Sequence, residues 1–267
     1  MKIHSSACVE PGAELGEGVE VEPNAYVGPN VSIGDNCRIG KGAVVTGYTR
    51  MDSGNVLYPF AVLGTSPQDM KYHGHKTELH IGQDNVFREF ATVNIGTPTG
   101  TGVTKIGDRN YLMITSHVAH DCVLENETIL TNGVLLGGHC YVESGAKLMG
   151  AAAVNPFVTI GKMAYVGGLT RIVQDVPPYM IVEGNPAKVR GVNEIGLRRS
   201  GYKNEVIQKL SEAYKCIYRA KELTRSKIFD SIEEDEEATE EVLYLVNFLR
   251  RSLKGKHGRF RESLRQN

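Results

Sequence analysis

A six-residue repeat of branched aliphatic residues constrains this sequence more than any other feature. Stepping by six from Ile106 gives Ile, Leu or Val at eleven consecutive positions, the last being Val166. At the chain's hydrophobic content of 41%, chance would give such a run in roughly 5 of 100,000 trials for a chosen frame. A second frame runs from Ile3 to Leu63, and a short third one begins at Ile81. Neither the 3.6-residue period of a helix nor the two-residue period of a plain strand explains this repeat.

Small residues accompany the repeat. Ala or Cys usually stands two positions before a repeat residue, as at Ala25, Cys37 and Ala43, and Gly often follows one. This pattern predicts a mainly β protein, a parallel β-helix with three short faces per coil, because inward-pointing aliphatic residues need small neighbours and Gly permits the corner turns. Eighteen residues make one coil and coils stack about 4.8 Å apart. The periodicity leaves the hand of the coil open.

Two stretches interrupt the six-residue repeat, and the repeat is absent after Val189. Residues 65–80 and 96–105 are polar and rich in Gly, Thr or His, so we expect loops ejected on one face, where function is often carried. After Val189 the apolar residues take helical spacing, as at Val206 and Leu210. The sequence therefore predicts a β-helix over residues 1–190 and a small C-terminal α-helical domain over 191–267.

Composition excludes several classes of function. The formal net charge is −1, so the chain as a whole has no electrostatic attraction to nucleic acid. A binding site for an anion would have to come from a local group of basic residues. No apolar run is long enough to form an integral membrane segment. Residues 1–12 lack the apolar core of a signal peptide, so we expect a cytoplasmic protein. Five scattered Cys residues without a Cys-x-x-Cys pair predict reduced thiols rather than a disulfide framework.

A histidine cluster is the strongest candidate for chemistry. His117 and His120 share one coil, and His139 stands one residue beyond the position eighteen after His120. The histidines should therefore meet at one corner of adjacent coils, about 5 Å apart along the axis. Asp121 lies alongside. The cluster suits a general base oriented by a carboxylate, or a zinc site of three His, in one chain or shared between subunits. In the second case the protein would be a trimeric zinc enzyme of the carbonic-anhydrase type. A non-catalytic scaffold would leave this gathering of His and Asp on one wall unexplained.

Several blocks around these residues carry a family resemblance. They are His117–Cys122, Gly137–His139, Gln68–Tyr72, Gln174–Tyr179, Gly191–Asn193 and Leu197–Arg199. In order and spacing they resemble the acyl-carrier-protein-dependent UDP-N-acetylglucosamine O-acyltransferase family, whose members open lipid A synthesis. The likeness runs from about residue 3 into the helical tail.

The resemblance implies a fold, a reaction and partners. The fold would be a left-handed parallel β-helix, assembled as a homotrimer with active sites between neighbouring subunits. The reaction would move a (3-hydroxy)acyl chain from acyl carrier protein to the 3-position of a UDP-sugar, UDP-N-acetylglucosamine. No cofactor and no metal are implied. The helical tail would dock the carrier protein.

The resemblance also assigns roles residue by residue. His120 would be the general base acting on the sugar 3-hydroxyl, with Asp121 beside it, and the backbone N–H of Gly138 would stabilise the oxyanion of the thioester carbonyl. The remaining implied substrate-binding residues are His117, His139, Asp69 and Lys71 at the sugar and acyl sites, Asn193 and Arg199 at the phosphates, and Gly168 as the limit on acyl length.

Three blocks depart from the family pattern. The family usually has His-Gln-Phe at residues 155–157, His-Arg-Gly-Thr at 94–97 and Arg-Arg-Gly at 199–201. This chain has Asn155-Pro156-Phe157, Asn94-Ile95-Gly96-Thr97 and Arg199-Ser200-Gly201 there. These changes leave open a 3-amino sugar acceptor or another acyl length. Residues 184–188 also resemble the end of many CoA-dependent hexapeptide acetyltransferases, which keeps an acyl-CoA donor as an alternative.

Overall fold

Three walls of short strands build the larger part of the molecule in a computed structural model that describes residues 1–219 and 224–264. The first sheet contains β1 (Lys2–Ile3), β4 (Glu20–Val21), β7 (Arg38–Ile39), β10 (Val56–Leu57), β13 (Val86–Phe87), β16 (Tyr111–Leu112), β19 (Ile129–Leu130), β22 (Lys147–Leu148), β25 (Tyr165–Val166), β27 (Met180–Glu183) and β28 (Lys188–Val192). The second sheet contains β2 (Cys8–Val9), β5 (Tyr26–Val27), β8 (Val44–Val45), β11 (Val62–Thr65), β14 (Thr92–Asn94), β17 (His117–Val118), β20 (Leu135–Leu136), β23 (Ala153–Val154) and β26 (Arg171–Ile172). The third sheet contains β3 (Glu14–Leu15), β6 (Val31–Ile33), β9 (Tyr48–Met51), β12 (Glu78–Ile81), β15 (Val103–Ile106), β18 (Val123–Leu124), β21 (Tyr141–Val142) and β24 (Thr159–Ile160).

The repeat residues form the core of this prism. All eleven positions from Ile106 to Val166 are at most 5% exposed, and the small Cys122 and Ala146 beside them are fully buried. Strands of successive coils pair in parallel, eighteen residues apart in the regular coils, for example Val123 with Tyr141. The predicted left-handed parallel β-helix is confirmed. Each coil is built on its neighbours, as in other solenoids.

The two interruptions are shorter than the sequence indicated. Residues 78–80 belong to β12 and residues 103–105 to β15, and these two strands pair with each other along their length. The connecting segments are therefore 66–77 and 95–102. The predicted loops 65–80 and 96–105 ran too far because His80 and Lys105 occupy outward positions of their strands, where a polar side chain meets solvent.

Among the described residues, five helices follow the last coil. Strand β28 reverses antiparallel to β27 and extends to Val192, two residues past the predicted domain boundary. The helices are α1 (Glu194–Arg199), α2 (Asn204–Arg219), α3 (Arg225–Glu233), α4 (Glu240–Lys254) and α5 (Phe260–Ser263). Residues 220–223 and 265–267, which the helical prediction included, lie outside the described residues.

Helical spacing in the tail produces a second, smaller core. The apolar faces of α2 and α4, including Leu210 and Leu245, pack with Tyr179 and Met180 from the end of the β-helix. This shared core joins the two parts of the chain. In the described ranges, no helix combines the length and the apolar character that crossing a membrane requires.

Candidate active site

The histidines meet at the corner between the second and third sheets. His120 follows β17 and His139 follows β20, and their ring centroids lie 5.1 Å apart in an edge-to-face arrangement. This matches the eighteen-residue arithmetic. Asp121, His139 and Phe157 occupy equivalent positions of successive coils and share a left-handed backbone, with φ of 60°, 64° and 66°. We call His120, Asp121, Gly138 and His139 the catalytic corner.

The carboxylate of Asp121 is fully buried and held from several sides. It accepts hydrogen bonds from the Thr97 hydroxyl at 2.6 Å, from the Thr97 N–H at 3.2 Å and from the Thr101 N–H at 2.9 Å. His120 Nδ1 lies 2.8 Å from Oδ2. Thr97 and Thr101 belong to the connection 95–102, so this segment closes over the carboxylate. Sequence reasoning missed both residues.

These contacts keep Asp121 ionised. Burial alone would raise the pKa of the carboxyl group, but the hydrogen bonds from His120 and Thr97 outweigh it and lower the pKa to about 2. An ionised carboxylate only accepts hydrogen bonds, so the neutral imidazole of His120 must carry its proton on Nδ1. Its Nε2 is then the basic atom. This is the tautomer that a general base needs.

Gly138 lies against the ring of His120. A Cβ built at Gly138 would stand 2.6 Å from His120 Cε1 and 2.7 Å from Nε2, so a larger residue would displace the imidazole. The neighbouring N–H groups of Gly137 and His139 donate to the carbonyls of Val154 and His120. Among the described residues, the Gly138 N–H has no such acceptor. A free N–H beside a basic imidazole can receive a developing oxyanion.

An open groove of about 690 Å³ runs along the second sheet from this corner. His117, His120 and Gly138 line it together with Asn155 and Arg171. The Nδ1 atom of His117 is 2.8 Å from the Thr92 hydroxyl. Burial and the neighbouring His120 lower the pKa of His117, which favours its neutral form. Within one chain, the predicted residues that come together are therefore those of the catalytic corner and His117.

The other five predicted residues lie outside this groove. Asp69 forms a turn by accepting the Lys71 N–H at 3.0 Å. Gly168 is exposed at the corner between the first and second sheets, and Arg199 is exposed on α1. Asn193 is buried: its side-chain oxygen accepts the Gly196 N–H at 3.2 Å and its amide donates to the Met163 carbonyl at 2.9 Å. In this chain Asn193 caps α1 and ties it to the β-helix.

The end of the chain also reaches the catalytic corner. Arg261 of α5 donates from Nε to the His139 carbonyl at 3.2 Å, and its guanidinium lies over the ring of Tyr141, 5.1 Å from the centroid. The basic character of this segment was visible in the sequence, but no spacing rule relates residue 261 to residue 139.

A metal ion at the catalytic corner would compete with hydrogen-bond donors for the oxygens of Asp121. His120, Asp121 and His139 each offer a ligand atom, and these atoms lie within 4.8 Å of one another. The zinc hypothesis predicted His117, His120 and His139 as the three ligands. In the structure Asp121, and not His117, lies with the other two. Both Asp121 oxygens already accept hydrogen bonds from Thr97, Thr101 adds two through its N–H and its hydroxyl, and His120 adds one. A bound cation would have to replace some of these.

Comparison with known proteins places the chain among acyltransferases. Residues 12–47 match the family model for bacterial transferase hexapeptide repeats, and residues 175–257 match the second domain of UDP N-acetylglucosamine O-acyltransferase. The acyl-[acyl-carrier-protein]–UDP-N-acetylglucosamine O-acyltransferase of Anaeromyxobacter sp. is 42% identical over 96% of this chain and 99% of that protein. The protein of the same name from Verminephrobacter eiseniae is 51% identical over 81% of this chain and 83% of its own length. The one from Synechocystis sp. is 51% identical over 66% of this chain and 64% of its own length.

Solved structures give the same result. The UDP-N-acetylglucosamine acyltransferase of Bacteroides fragilis superposes with a TM-score of 0.89 at 36% identity, covering 93% of this chain and 96% of that one. The Acinetobacter baumannii protein gives a TM-score of 0.87 at 35% identity, over 92% and 95% of the two chains.

Proposed function

This chain belongs to the acyl-[acyl-carrier-protein]–UDP-N-acetylglucosamine O-acyltransferase family, and on that premise we propose that it transfers a (3-hydroxy)acyl chain from acyl carrier protein to the 3-hydroxyl of UDP-N-acetylglucosamine, in lipid A synthesis. The observation that carries the proposal is the catalytic corner. It places a basic Nε2 atom, fixed through Nδ1 by a buried carboxylate, next to the free N–H of Gly138.

The proposed reaction needs a base and an oxyanion donor. His120 Nε2 removes the proton of the sugar hydroxyl as its oxygen attacks the thioester carbonyl, and Asp121 stabilises the resulting imidazolium. The Gly138 N–H donates to the oxyanion of the tetrahedral intermediate. As the intermediate collapses, the carbon–sulfur bond breaks and the imidazolium returns its proton to the leaving thiol. The ester forms and the base is regenerated.

We propose that a homotrimer completes the site. Phe60 and Phe90 stack at 5.4 Å on the corner between the first and second sheets, where they are 47% and 54% exposed, and Leu169 on the same corner is 81% exposed. Such a ridge favours burial against another copy of the chain. The neighbouring protomer would then supply the predicted residues that lie outside the groove of one chain. These are Asp69, Lys71 and Gly168, together with Asn193 or Arg199.

The trimer has a direct test. Phe90→Asp should lower the mass measured by sedimentation equilibrium, because a charge would have to be buried in the interface. Leu253→Asp is the matched control, since Leu253 is 57% exposed but lies on α4. Loss of assembly by the control alone, or by neither variant, would contradict the assignment of the ridge.

Two groove residues favour a second candidate for the acceptor. Asn155 lines the groove at a position where the family pattern usually has His, and Pro156 lacks a backbone N–H. A 3-amino sugar nucleotide is therefore the second candidate acceptor. Purified protein should be supplied with UDP-N-acetylglucosamine and its 3-amino analogue, each with acyl carrier protein and with acyl-CoA donors. Turnover on the amino sugar alone would replace the proposed acceptor, and turnover only with acyl-CoA would replace the proposed donor.

His120→Ala tests the mechanism. Loss of a positioned general base should lower kcat by about 10² to 10⁴, while His4→Ala, an exposed residue of the first coil, should have no effect. Turnover should survive a chelator, whereas a zinc enzyme would lose activity as its metal leaves. Near-normal turnover of His120→Ala, or chelator-sensitive turnover with stoichiometric zinc, would overturn the assignment.

We also propose that the protein is located in the cytoplasm. All five cysteines are free thiols, and Cys37, Cys122 and Cys140 are buried. Persistent thiols fit the reducing cytoplasm.

A further inference from the structure

A buried thiol lies directly behind the catalytic corner. Cys122 follows Asp121 in the chain, and its side chain is fully buried inside the β-helix. The sulfur donates a hydrogen bond to the backbone carbonyl of Gly137, with 3.1 Å between Sγ and the oxygen. Burial raises the pKa of this thiol well above its ordinary value, so the sulfur keeps the proton that it donates.

This thiol replaces a backbone bond that closes regular corners of the β-helix. At residues 143–146 the N–H of Ala146 donates to the carbonyl of Glu143 at 3.2 Å and closes the turn. At residues 137–140 of the described structure, the Cys140 N–H makes no such bond to the Gly137 carbonyl. The carbonyl is held instead from the preceding coil, by Cys122.

The hydrogen bond fixes the direction of the Gly138 N–H. The Gly137 carbonyl and the Gly138 N–H belong to one peptide group, which is trans, so the two bonds point in opposite directions. The carbonyl faces the sulfur of Cys122 inside the β-helix. The N–H therefore faces outward, toward the groove that Gly137 and Gly138 line.

We propose that Cys122 is a positioning residue for acyl transfer, whose thiol holds the peptide between Gly137 and Gly138 so that the Gly138 N–H points at the developing oxyanion. The inference rests on the proposed function, which assigns the oxyanion to that N–H. A donor to the carbonyl of an amide also polarises the amide and makes its N–H a stronger donor. Both effects grow as negative charge develops, so they stabilise the transition state more than the bound substrates.

Two other cysteines make the same bond at places where it can have no such effect. Cys37 donates to the Asp52 carbonyl at 3.2 Å, at the corner between the third and first sheets and away from the groove. Cys140 donates to the Asn155 carbonyl at 3.2 Å, and that peptide group has no N–H because the next residue is Pro156. In all three cases the acceptor lies fifteen residues after the cysteine. These two bonds are matched controls for the bond of Cys122.

The test measures kcat and KM of the full-length protein with UDP-N-acetylglucosamine and a ladder of saturated acyl chains on acyl carrier protein (the donor ladder). Cys122→Ala should lower kcat by about tenfold, the equivalent of one hydrogen bond, with an unchanged KM for the sugar nucleotide. This is less than the 10²- to 10³-fold loss that typically follows removal of an oxyanion donor itself. Cys122→Ser, whose hydroxyl can donate to the same carbonyl, should recover most of the loss. Cys37→Ala and Cys140→Ala should leave kcat unchanged.

A further variant separates the hydrogen bond from packing. Cys122→Val fills the space of the thiol without offering a donor, and Val158 occupies the equivalent buried position two coils further on, so this variant should fold. Its kcat should fall as far as that of Cys122→Ala. This comparison remains informative when the alanine variant is unstable.

The pH dependence of kcat distinguishes the two neighbours of Cys122. A change that acted through Asp121 would alter the base, His120, and would move the pH profile of kcat. A change that acts through the Gly138 N–H lowers kcat by the same factor at every pH, because an amide does not titrate in this range.

Each outcome decides the question. A loss of kcat in Cys122→Val, recovered in Cys122→Ser and without a shift of the pH profile, supports the inference. Wild-type kcat in Cys122→Val, no recovery in Cys122→Ser, equal losses in Cys37→Ala and Cys140→Ala, or a shifted pH profile overturns it. Absence of transfer by the wild-type protein with every donor would instead refute the proposed function, and the inference with it.

Discussion

Replacing Asp121 by Asn exchanges one oxygen of a buried carboxylate for an amide nitrogen while keeping the size of the side chain. The carboxylate now receives hydrogen bonds from Thr97, Thr101 and His120. An amide offers one accepting oxygen, so a donor must face the new nitrogen. When that donor is the Nδ1–H of His120, the proton has to move to Nε2, and the imidazole can no longer act as a base toward the groove.

The structure sets the size of both effects. The difference between a pKa of about 2 and the ordinary value of 3.8 for Asp121 corresponds to ~2 kcal/mol per protomer in favour of the ionised group. Loss of that amount should lower the Tm at neutral pH by roughly 4–8 °C. Turnover should fall by about 10⁴, the loss that follows when a catalytic His is held in the wrong tautomer.

The pH dependence separates the two effects. Because folding lowers the pKa of Asp121, its stabilisation is present above the ordinary pKa of 3.8 and is lost as the pH falls toward 2. Thermal unfolding should therefore show a constant Tm difference between wild type and Asp121→Asn above pH 5, and a shrinking one below pH 4. Release of the carrier-protein thiol measures turnover in the same samples.

The control for Asp121→Asn is a carboxylate at another corner of the β-helix. Asp35 is exposed and accepts the Glu17 N–H at 2.7 Å, so Asp35→Asn should leave turnover unchanged. If Asp121→Asn keeps wild-type turnover, His120 does not depend on this carboxylate for its tautomer. If its Tm equals that of the wild type at neutral pH, the hydrogen bonds from the connection 95–102 do not stabilise the ionised group.

Three further changes give separate checks. Gly168→Met should shift donor preference to shorter chains, because a rigid wall does not yield to the added side chain; an unchanged profile on the donor ladder would mean that the chain does not pass this corner. Glu143 is buried, its carboxylate accepts the Tyr244 hydroxyl at 2.7 Å, and burial raises its pKa. Its contribution to stability is thus present below the ordinary pKa of 4.5 and lost as the pH rises, so Glu143→Gln should show a smaller fall in Tm between pH 4 and pH 8 than the wild type; an equal fall in circular-dichroism melts would refute this. Joint Asn155→His and Pro156→Gln changes should alter the KM for the sugar nucleotide more than the KM for the donor, and the reverse result would assign this part of the groove to the acyl chain.

Periodicity predicted the fold and part of the site. The repeat fixed which residues point inward, and adding eighteen to residue 120 was enough to bring His139 beside it, because the coils between them are regular. The contacts of Thr97 and Thr101 with Asp121 could not be found in this way, since they belong to a connection that interrupts the repeat. Arg261 was beyond reach for a different reason: its position depends on how the helices pack against the prism.

Asn193 shows a further limit of sequence reasoning. The resemblance assigned it to phosphate binding, and in this chain both ends of its amide already hold α1 against the β-helix. Residue type and position alone do not distinguish a polar side chain that meets a ligand from one that satisfies backbone groups. Its proposed contact with substrate has to be compatible with that structural role.

The bond from Arg261 to the His139 carbonyl joins residues 122 positions apart, and this separation bears on how the protein is made. During synthesis the ribosome releases the coils in order, and each new coil can add to the one before it. The catalytic corner would be formed well before α5 emerges, but it gains this hydrogen bond only after residue 261 has been made. A polypeptide that stops before residue 261 would thus contain a formed β-helix without the hydrogen bond from Arg261 to His139, and full activity would require synthesis to pass that residue.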